Sequence, residues 1–498
     1  MRDDLREVLE ARAAALDAAR PAAVERQRAR GRWTARERIE ALVDPASYLE
    51  YGRLVRPRRA DLEGPADGLV MGVGRVEGQP VCVLSYDYTV HAGTQSPRNH
   101  RKIDRIFELA GRHRWPLVCW CEGGGARPHE MSGQLGPVTT FVSLARLSGR
   151  VPTLAIVPGR AFAGHANLAG LCDLVIATRN ACMGMAGPPL VESATGEKLS
   201  PEELGPIELH QETGAVDLLV ADEREALETA RRLLGYFRGP AAAGPAPDTA
   251  KLRDVVPESP RRAYDVRRVI EGIADVGSVI ELRPRFGGAA VTALARIEGR
   301  PLGILANQPM VLAGAIDAPA SDKLARFASL CDAYDLPLLF LCDTPGFMVG
   351  TQVEKTALVR HSARVLLAVA NATVPILTVV LRKAYGLGYY AMGSDAYAPS
   401  LLVAWPTAEF GGMGLEGAVN ILHRKELEAA PDEEGRRRLR TRLADELRAG
   451  NRALPLARGF VFDDVIDPAE TRDVLATALR AFPPPPPRTE RKHPIDAW

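Results

Sequence analysis

Long apolar runs are missing from this 498-residue chain. Nowhere do about 18 apolar residues follow one another, so no membrane-spanning helix is expected. The amino terminus, Met1-Arg2-Asp3-Asp4-Leu5-Arg6-Glu7, lacks the apolar segment of a signal peptide, and a cytoplasmic protein is the expectation. An excess of one charge is also missing: the net charge is +1, which leaves no global field for nucleic acid or a membrane surface. No C-x-x-C pair occurs, which excludes a zinc ribbon, and Cys119-Trp120-Cys121 within an apolar strand is poor zinc geometry; no metal site is expected. Neither a Walker loop nor a G-x-S-x-G elbow is present, which argues against ATP chemistry and α/β-hydrolase catalysis. Cysteines are few and odd in number, seven, and several lie in apolar runs as buried reduced thiols would.

What is there is length, and length at this scale means two or more domains. The first 25 residues carry Leu5, Leu9, Ala13 and Leu16 at helical spacing, an arm expected to pack on the body or on a neighbouring subunit. Basic runs such as Arg36-Glu37-Arg38 read as a solvated helix face. Gly239-Pro240-Ala241-Ala242-Ala243-Gly244-Pro245-Ala246-Pro247 has little to bury and reads as a linker, placed at 241–260 between domains 1–240 and 261–498. The proline run Pro483–Pro487 leads into a tail expected to lie extended on the surface.

The two sides of the linker resemble each other. Gly74-Arg75-Val76-Glu77-Gly78-Gln79-Pro80-Val81 matches Ala295-Arg296-Ile297-Glu298-Gly299-Arg300-Pro301-Leu302 at an offset of 221 residues. The same offset carries Lys102 onto Lys323, Cys121 onto Cys342, Glu122 onto Asp343 and Gly125 onto Gly346. Farther on, Ala161-Phe162 maps onto Ala384-Tyr385 at 223. So constant an offset identifies two copies of one domain.

Each copy predicts an alternating hairpin (70–85; 291–307), a helix (100–113; 321–334), and apolar strands at 117–121 and 153–157, or 338–342 and 376–381. Fully apolar strands separated by helices imply a parallel sheet covered on both faces, in an α/β fold of ββα superhelical turns. Four loops end those strands: Glu122–Arg127, Gly159–Ala166, Asp343–Phe347 and Arg382–Gly388. Small residues such as Gly124, Gly125 and Gly346 let backbone N–H groups approach a developing oxyanion. The same glycines also serve tight strand-to-helix turns, and both readings stand at this point. Gly412-Met413-Gly414-Leu415-Glu416-Gly417 matches G-x-G-x-x-G, but Pro406 separates it from the strand at 401–404, so nucleotide binding is not expected.

These loops, with Thr34-Ala35-Arg36-Glu37-Arg38-Ile39, Asn307–Gly314, Ser321–Phe327, Asp343-Thr344-Pro345-Gly346-Phe347, Arg382–Gly386 and Trp405-Pro406-Thr407-Ala408, resemble the carboxyltransferase (β) subunits of biotin-dependent acyl-CoA carboxylases. The resemblance covers nearly the whole chain. It implies two tandem crotonase-like domains, the first on the acyl-CoA side and the second on the biotin side. It implies transfer of a carboxyl group from carboxybiotin, carried by a biotin carboxylase/biotin carrier subunit, to the α- or vinylogous γ-carbon of an acyl-CoA. The biotinyl signature itself is absent from this chain, so biotin is expected on the partner.

By the same resemblance the amides of Ala163 and Gly164 hold the thioester oxygen as it becomes an enolate, and those of Gly386, Leu387 and Gly388 hold the ureido oxygen of biotin. The biotin anion takes the α-proton, so no protein base is required. Phe162, His165, Tyr390, Gly124, Gly125, Gly346 and Phe347 are expected around the substrate. Phe162, His165 and Leu387 depart from the plainer small residues of the family, and Tyr390 stands where propionyl- and acetyl-selective relatives carry an acidic residue. His165 is open to two readings, an acid/base or a supporting histidine. Arg98, Arg101, Lys102 and Arg105 face either CoA phosphates or solvent. A homo-oligomer built from dimers, a hexamer, is expected. Two alternatives remain at this stage: the decarboxylating subunit of a sodium-pumping acyl-CoA decarboxylase, and a crotonase-like scaffold that only binds CoA.

Overall fold

The computed structural model describes residues 1–130, 138–259, 262–485 and 493–498. Pro260, the end of the expected linker, and Pro486 and Pro487 of the proline run lie outside the described residues. The chain forms two compact units: Met1–Phe237 with the described part of Arg488–Ala497, and Arg238–Pro487 with Trp498.

In the first unit the expected arm is helical over Asp3–Ala14, and that helix buries none of its side chains. Next comes α1 (Ala35–Leu42), started by a capping box in which Thr34 Oγ1 accepts the Glu37 N–H. The short β1 (Leu49–Glu50) pairs antiparallel with β2 (Leu69–Val76), which forms a hairpin with β3 (Gln79–Tyr86). Its two-residue turn needs positive φ twice, and Glu77 (48°) and Gly78 (80°) supply it. Both are held by Asp44, whose carboxylate accepts their N–H groups at 2.9 and 2.8 Å. Helix α2 (Pro97–His113), capped by Ser96, starts three residues before the expected point, because Pro97 fits the first helical position and Asn99 closes a capping box.

Strands β4 (Leu117–Trp120) and β5 (Thr153–Val157) follow, then the short β6 (Arg160–Phe162), helix α3 (Gly164–Leu171), β7 (Leu174–Thr178), β8 (Cys182–Gly184), β9 (Leu218–Val220) and helix α4 (Glu223–Arg238). The main sheet runs β1-β2-β3-β4-β5-β7-β9, parallel from β3 onward, and β6 pairs with β8 beside it. β4, β5 and β7 are buried at every residue, as two covered faces require.

The second unit repeats the plan: β10 (Ile280–Leu282), β11 (Ala290–Ile297), β12 (Arg300–Asn307), helix α5 (Ala318–Ala333), β13 (Leu338–Thr344), β14 (Ile376–Tyr385), helix α6 (Gly386–Ala391), β15 (Leu401–Ala404), β16 (Glu409–Gly411) and β17 (Asp464–Val465). Its sheet runs β10-β11-β12-β13-β14-β15-β17, with β16 on the end of β14. The hairpin turn again has positive φ at Glu298 (49°) and Gly299 (74°). The Pro/Ala/Gly stretch is bound along this unit: Ala241 N–H reaches Gly299 O at 3.0 Å, and Gly244 N–H reaches the Asp275 carboxylate. The fold is a duplicated α/β architecture, as the two sheet orders show.

Candidate active site

The first unit places its chemistry where β4 and β6 end. Ala163 closes β6 with φ 51° and ψ −119°, then α3 begins at Gly164. As the first helical residues, Gly164, His165 and Ala166 carry N–H groups that no carbonyl of their own helix can reach. Ala163 does not share that freedom: its N–H donates to Gly184 O at 2.9 Å, continuing the β6–β8 ladder. Of the expected donors Ala163 and Gly164, Ala163 is therefore already committed, while Gly164 and its neighbour His165 keep first-turn N–H groups. Gly164 must lack a side chain, because a Cβ there would collide with Gln95 Oε1. Gln95, which sequence reasoning missed, is buried, and its Nε2 donates to the Tyr86 hydroxyl at 2.9 Å.

The His165 ring is fully buried. Its Nδ1 accepts the Gly125 N–H at 3.2 Å and its Nε2 meets Gly93 O at 2.9 Å, which defines a neutral Nε2–H tautomer. Burial pushes the imidazole down to about 4, outweighing the Gly93 and Phe162 carbonyls that favour its charged form. It is a supporting histidine. Phe162 also faces inward, 3% exposed, where its ring meets Gly184. Neither side chain lines an open pocket; Gly124 is exposed and Gly125 buried.

Beneath this loop lies a buried ion network. Glu122 accepts from Arg32 Nη1 at 2.8 Å and from Arg38 Nη2 at 2.7 Å, and Arg38 Nε reaches Glu223 at 2.6 Å. Arg38 is 1% exposed, so the solvated-face reading of Arg36-Glu37-Arg38 fails there: its charge is met by two carboxylates that the linear sequence keeps far apart. Arg36 likewise pairs with Glu50 at 2.9 Å.

In the second unit Gly386 (φ 54°), Leu387 and Gly388 open α6 at the end of β14. The 223-residue offset maps them onto Ala163, Gly164 and His165, so Leu387 and Gly388 match Gly164 and His165. Gly388 lies against the neighbouring loop so closely that a Cβ would fall 2.6 Å from Gly346 Cα. Below it Asp343, the counterpart of Glu122, accepts from Arg382 Nε at 3.0 Å and from the Lys383 N–H at 3.2 Å. Arg382 also stacks over Tyr264, 5.0 Å from the ring centre. Leu387 and Tyr390 are exposed, with Val349 and Met413 on the adjoining segments, and Phe347 is half-buried.

The basic residues of α2 separate by role. Lys102 is buried and its Nζ donates to Ala66 O at 2.7 Å and to Leu69 O, so it holds the turn before β2 rather than facing a ligand. Lys323 does the same in the second unit, donating to Phe286 O at 3.0 Å and Ala290 O at 2.8 Å. Arg98 donates to the carbonyls of Arg56 and Pro57. Arg101 and Arg105 stay exposed on a groove of about 560 Å³ with Tyr51, Val55 and Arg56, and Arg105 pairs with Glu108 at 2.6 Å.

Comparison with known proteins gives the family of the chain. A family model described as the carboxyl transferase domain matches residues 26–493. The chain is 39% identical over 476 residues to the methylmalonyl-CoA carboxyltransferase 12S subunit of Propionibacterium freudenreichii subsp. shermanii, covering 92% of this chain and 90% of that one. It is 37% identical over 486 residues to the propionyl-CoA carboxylase beta chain of Saccharopolyspora erythraea, covering 92% and 89%. Among solved structures it is similar to a single-chain, multi-domain long-chain acyl-CoA carboxylase, with a TM-score of 0.90 and 46% identity. That similarity covers 96% of this chain and 49% of the other, so the chain spans about half of that protein. It is also similar to the transcarboxylase 12S hexamer assembly with methylmalonyl-coenzyme A and methylmalonic acid bound (TM-score 0.88, 36% identity, 98% and 97% covered). No helix among the described residues is long and apolar enough to cross a membrane.

Proposed function

Because the chain belongs to the carboxyl transferase domain family, as the carboxyltransferase of a biotin-dependent acyl-CoA carboxylase that acts with biotin-carrying partners, we propose that its two strand-to-helix turns divide the transfer between them. The observation that carries this reading is the duplication of the turn itself: each presents first-turn N–H groups above a buried, paired carboxylate. The Gly164 and His165 N–H groups hold the thioester oxygen as the α-carbon becomes an enolate. The Leu387 and Gly388 N–H groups, in a backbone cradle that a Cβ would fill, hold the ureido oxygen of the partner's biotin. Carboxylated biotin is the donor substrate, and biotin itself receives the α-proton. Glu122, Asp343 and His165 are all committed to hydrogen bonds beneath the loops, which agrees with a transfer that uses no carboxylate or imidazole as base.

The acyl group proposed is a long one. The 46% identity to a long-chain acyl-CoA carboxylase supports it. Arg56 and Arg101 are placed at the phosphate end of CoA, along α2 from Gln95. The carboxyl donor is assigned to a separate biotin carboxylase/biotin carrier protein. A hexamer, as in the 12S relative, is the proposed assembly, and a monomer by sedimentation contradicts it.

The test supplies the chain with biotinylated carrier, biotin carboxylase, ATP, bicarbonate and acyl-CoAs of increasing length. Each further buried methylene is worth about 0.8 kcal/mol, or roughly fourfold in kcat/KM, until the pocket is filled. A preference for acetyl- or propionyl-CoA sinks the long-chain reading. Tight CoA binding without carboxylation of any acyl-CoA sinks the assignment of the turns.

A further inference from the structure

The duplication makes one difference between the two turns measurable. His165 corresponds to Gly388, and Gly125 to Gly346. In the second unit the backbone at Gly388 touches Gly346 directly. In the first unit a side chain stands at that position, and Gly125 is reached through the His165 imidazole, which extends on to Gly93 O. There is no room to spare: a Cβ on Gly123 would fall 2.5 Å from the ring. The ring also packs edge-on against Tyr86, with centres 4.3 Å apart, and Tyr86 binds the Gln95 side chain that abuts Gly164.

We propose that His165 is a positioning residue for carboxyl transfer: through Gly93 and Gly125 it clamps two loops onto the start of α3 and so fixes the direction of the Gly164 and His165 N–H groups. The inference rests on the reading of those N–H groups as the thioester oxyanion site. The backbone there asks for such a clamp. Ala163 has φ 51° and ψ −119°, a conformation that persists only where the surroundings over-determine it. The β6–β8 ladder holds one side of Ala163, and the imidazole bridge holds the loops facing the other. Because Nδ1 accepts and Nε2 donates, the ring acts in its neutral form and takes no proton from the substrate.

The experiment uses the full chain in the reverse half-reaction, with a long-chain alkylmalonyl-CoA, the carboxylated form of the acyl class proposed above, and free biotin. There the Cα–carboxyl bond breaks, the carboxyl group joins the biotin N1, and the N1 proton passes to the α-carbon. His165→Leu removes both hydrogen bonds. His165→Asn keeps an acceptor near the position of Nδ1, and His165→Gln keeps a donor near that of Nε2. Misplacement of a reacting group by about 1 Å costs about 100-fold in rate. The expected result is a fall of about that size in kcat for His165→Leu, with KM for the alkylmalonyl-CoA within about threefold. His165→Asn is expected to recover about tenfold of that loss, and more than His165→Gln. Near-UV circular dichroism reports the folded fraction of each variant. If all three variants keep wild-type kcat, or lose activity only in step with lost folded protein, the positioning role is wrong. Gly164→Ala sets a methyl against Gln95 Oε1 and so displaces the Gly164 N–H; misplacing one oxyanion donor is expected to cost about 100-fold in kcat. A wild-type rate for folded Gly164→Ala overturns the oxyanion reading itself; an inactive but folded Gly164→Ala beside active His165 variants overturns the clamp alone.

Discussion

Arg38 shows how much of this site rests on side chains that touch no substrate. Its guanidinium links Glu122, at the foot of the first glycine loop, to Glu223, at the start of α4, with almost no exposed surface. Burial alone would lower its pKa, but the two carboxylates more than reverse this and raise it. A charge buried between two partners is hard to remove singly: its absence leaves Glu122 with Arg32 alone and takes the guanidinium from Glu223. Arg38→Met is therefore expected to lose about 3–5 kcal/mol of stability, measured by urea unfolding. Replacing the carboxylate that loses its guanidinium as well, in Arg38→Met/Glu223→Gln, is expected to recover part of it. A single-variant loss under about 1 kcal/mol would show that water already reaches the network. Sequence reading picked out the run Thr34–Ile39 yet could not see its function. A basic residue on a short helix looks solvated until its partners, 84 and 185 positions away, are known. His165 was singled out from sequence, but which of its two readings holds was not legible for a similar reason: its hydrogen bonds are to backbone groups, which carry no sequence signal.

At the level of elements the duplication was legible because hairpin, helix and buried strand each impose a period, and the periods recur at one offset. The turns between them were not. His91, Ala92 and Gly93 all have positive φ, as do Leu312, Ala313 and Gly314 at the same offset. Alanine and leucine give no warning of a left-handed backbone. These turns matter because Gly93 lies over Glu122 O and Gly314 over Asp343 O, so a turn after each β3-type strand presses on the foot of each glycine loop. A Cβ at 93 would fall 2.5 Å from that carbonyl, and at 314 it would overlap the Asp343 carbonyl. Gly314→Ala combines a forbidden φ (84°) with a clash against main chain that cannot swing away. We expect it to cost about 2 kcal/mol or more in thermal or urea unfolding and to lower transfer activity. Gly417→Ala, on a helix with nothing within 4 Å of its Cβ, is the control and is expected to gain about 0.5–1 kcal/mol. Equal effects from the two would mean that the Gly314 turn relaxes freely.

Over the whole molecule the two copies differ at the turns proposed to hold substrate and repeat a buried support. The turn residues Ala163-Gly164-His165 and Gly386-Leu387-Gly388 share no side chain, whereas Lys102 and Lys323 repeat the same buried arrangement, each donating to two backbone carbonyls. Each unit has its own hydrophobic core, and the two lysines share no hydrogen-bond partner. Burial pushes each ammonium down to about 7. Asp67 and Glu50 oppose this for Lys102 while Arg36 adds to it; Glu281 opposes it for Lys323 while Arg267 and Arg283 add to it. The sign follows from linkage. A lysine whose folded pKa lies below its unfolded value of about 10.4 contributes stability that is complete above about pH 10 and is lost as pH falls through 7. Wild-type stability is therefore expected to rise between pH 7 and 9.5 relative to Lys102→Met/Lys323→Met, in which neither group titrates. The residues common to both proteins cancel in that difference. With no shared partner, the single replacements should add to the double within about 0.5 kcal/mol. A gap that stays constant with pH would mean that the carbonyl acceptors keep both lysines charged, and that the duplicated clamp works as a pair of ammonium ions.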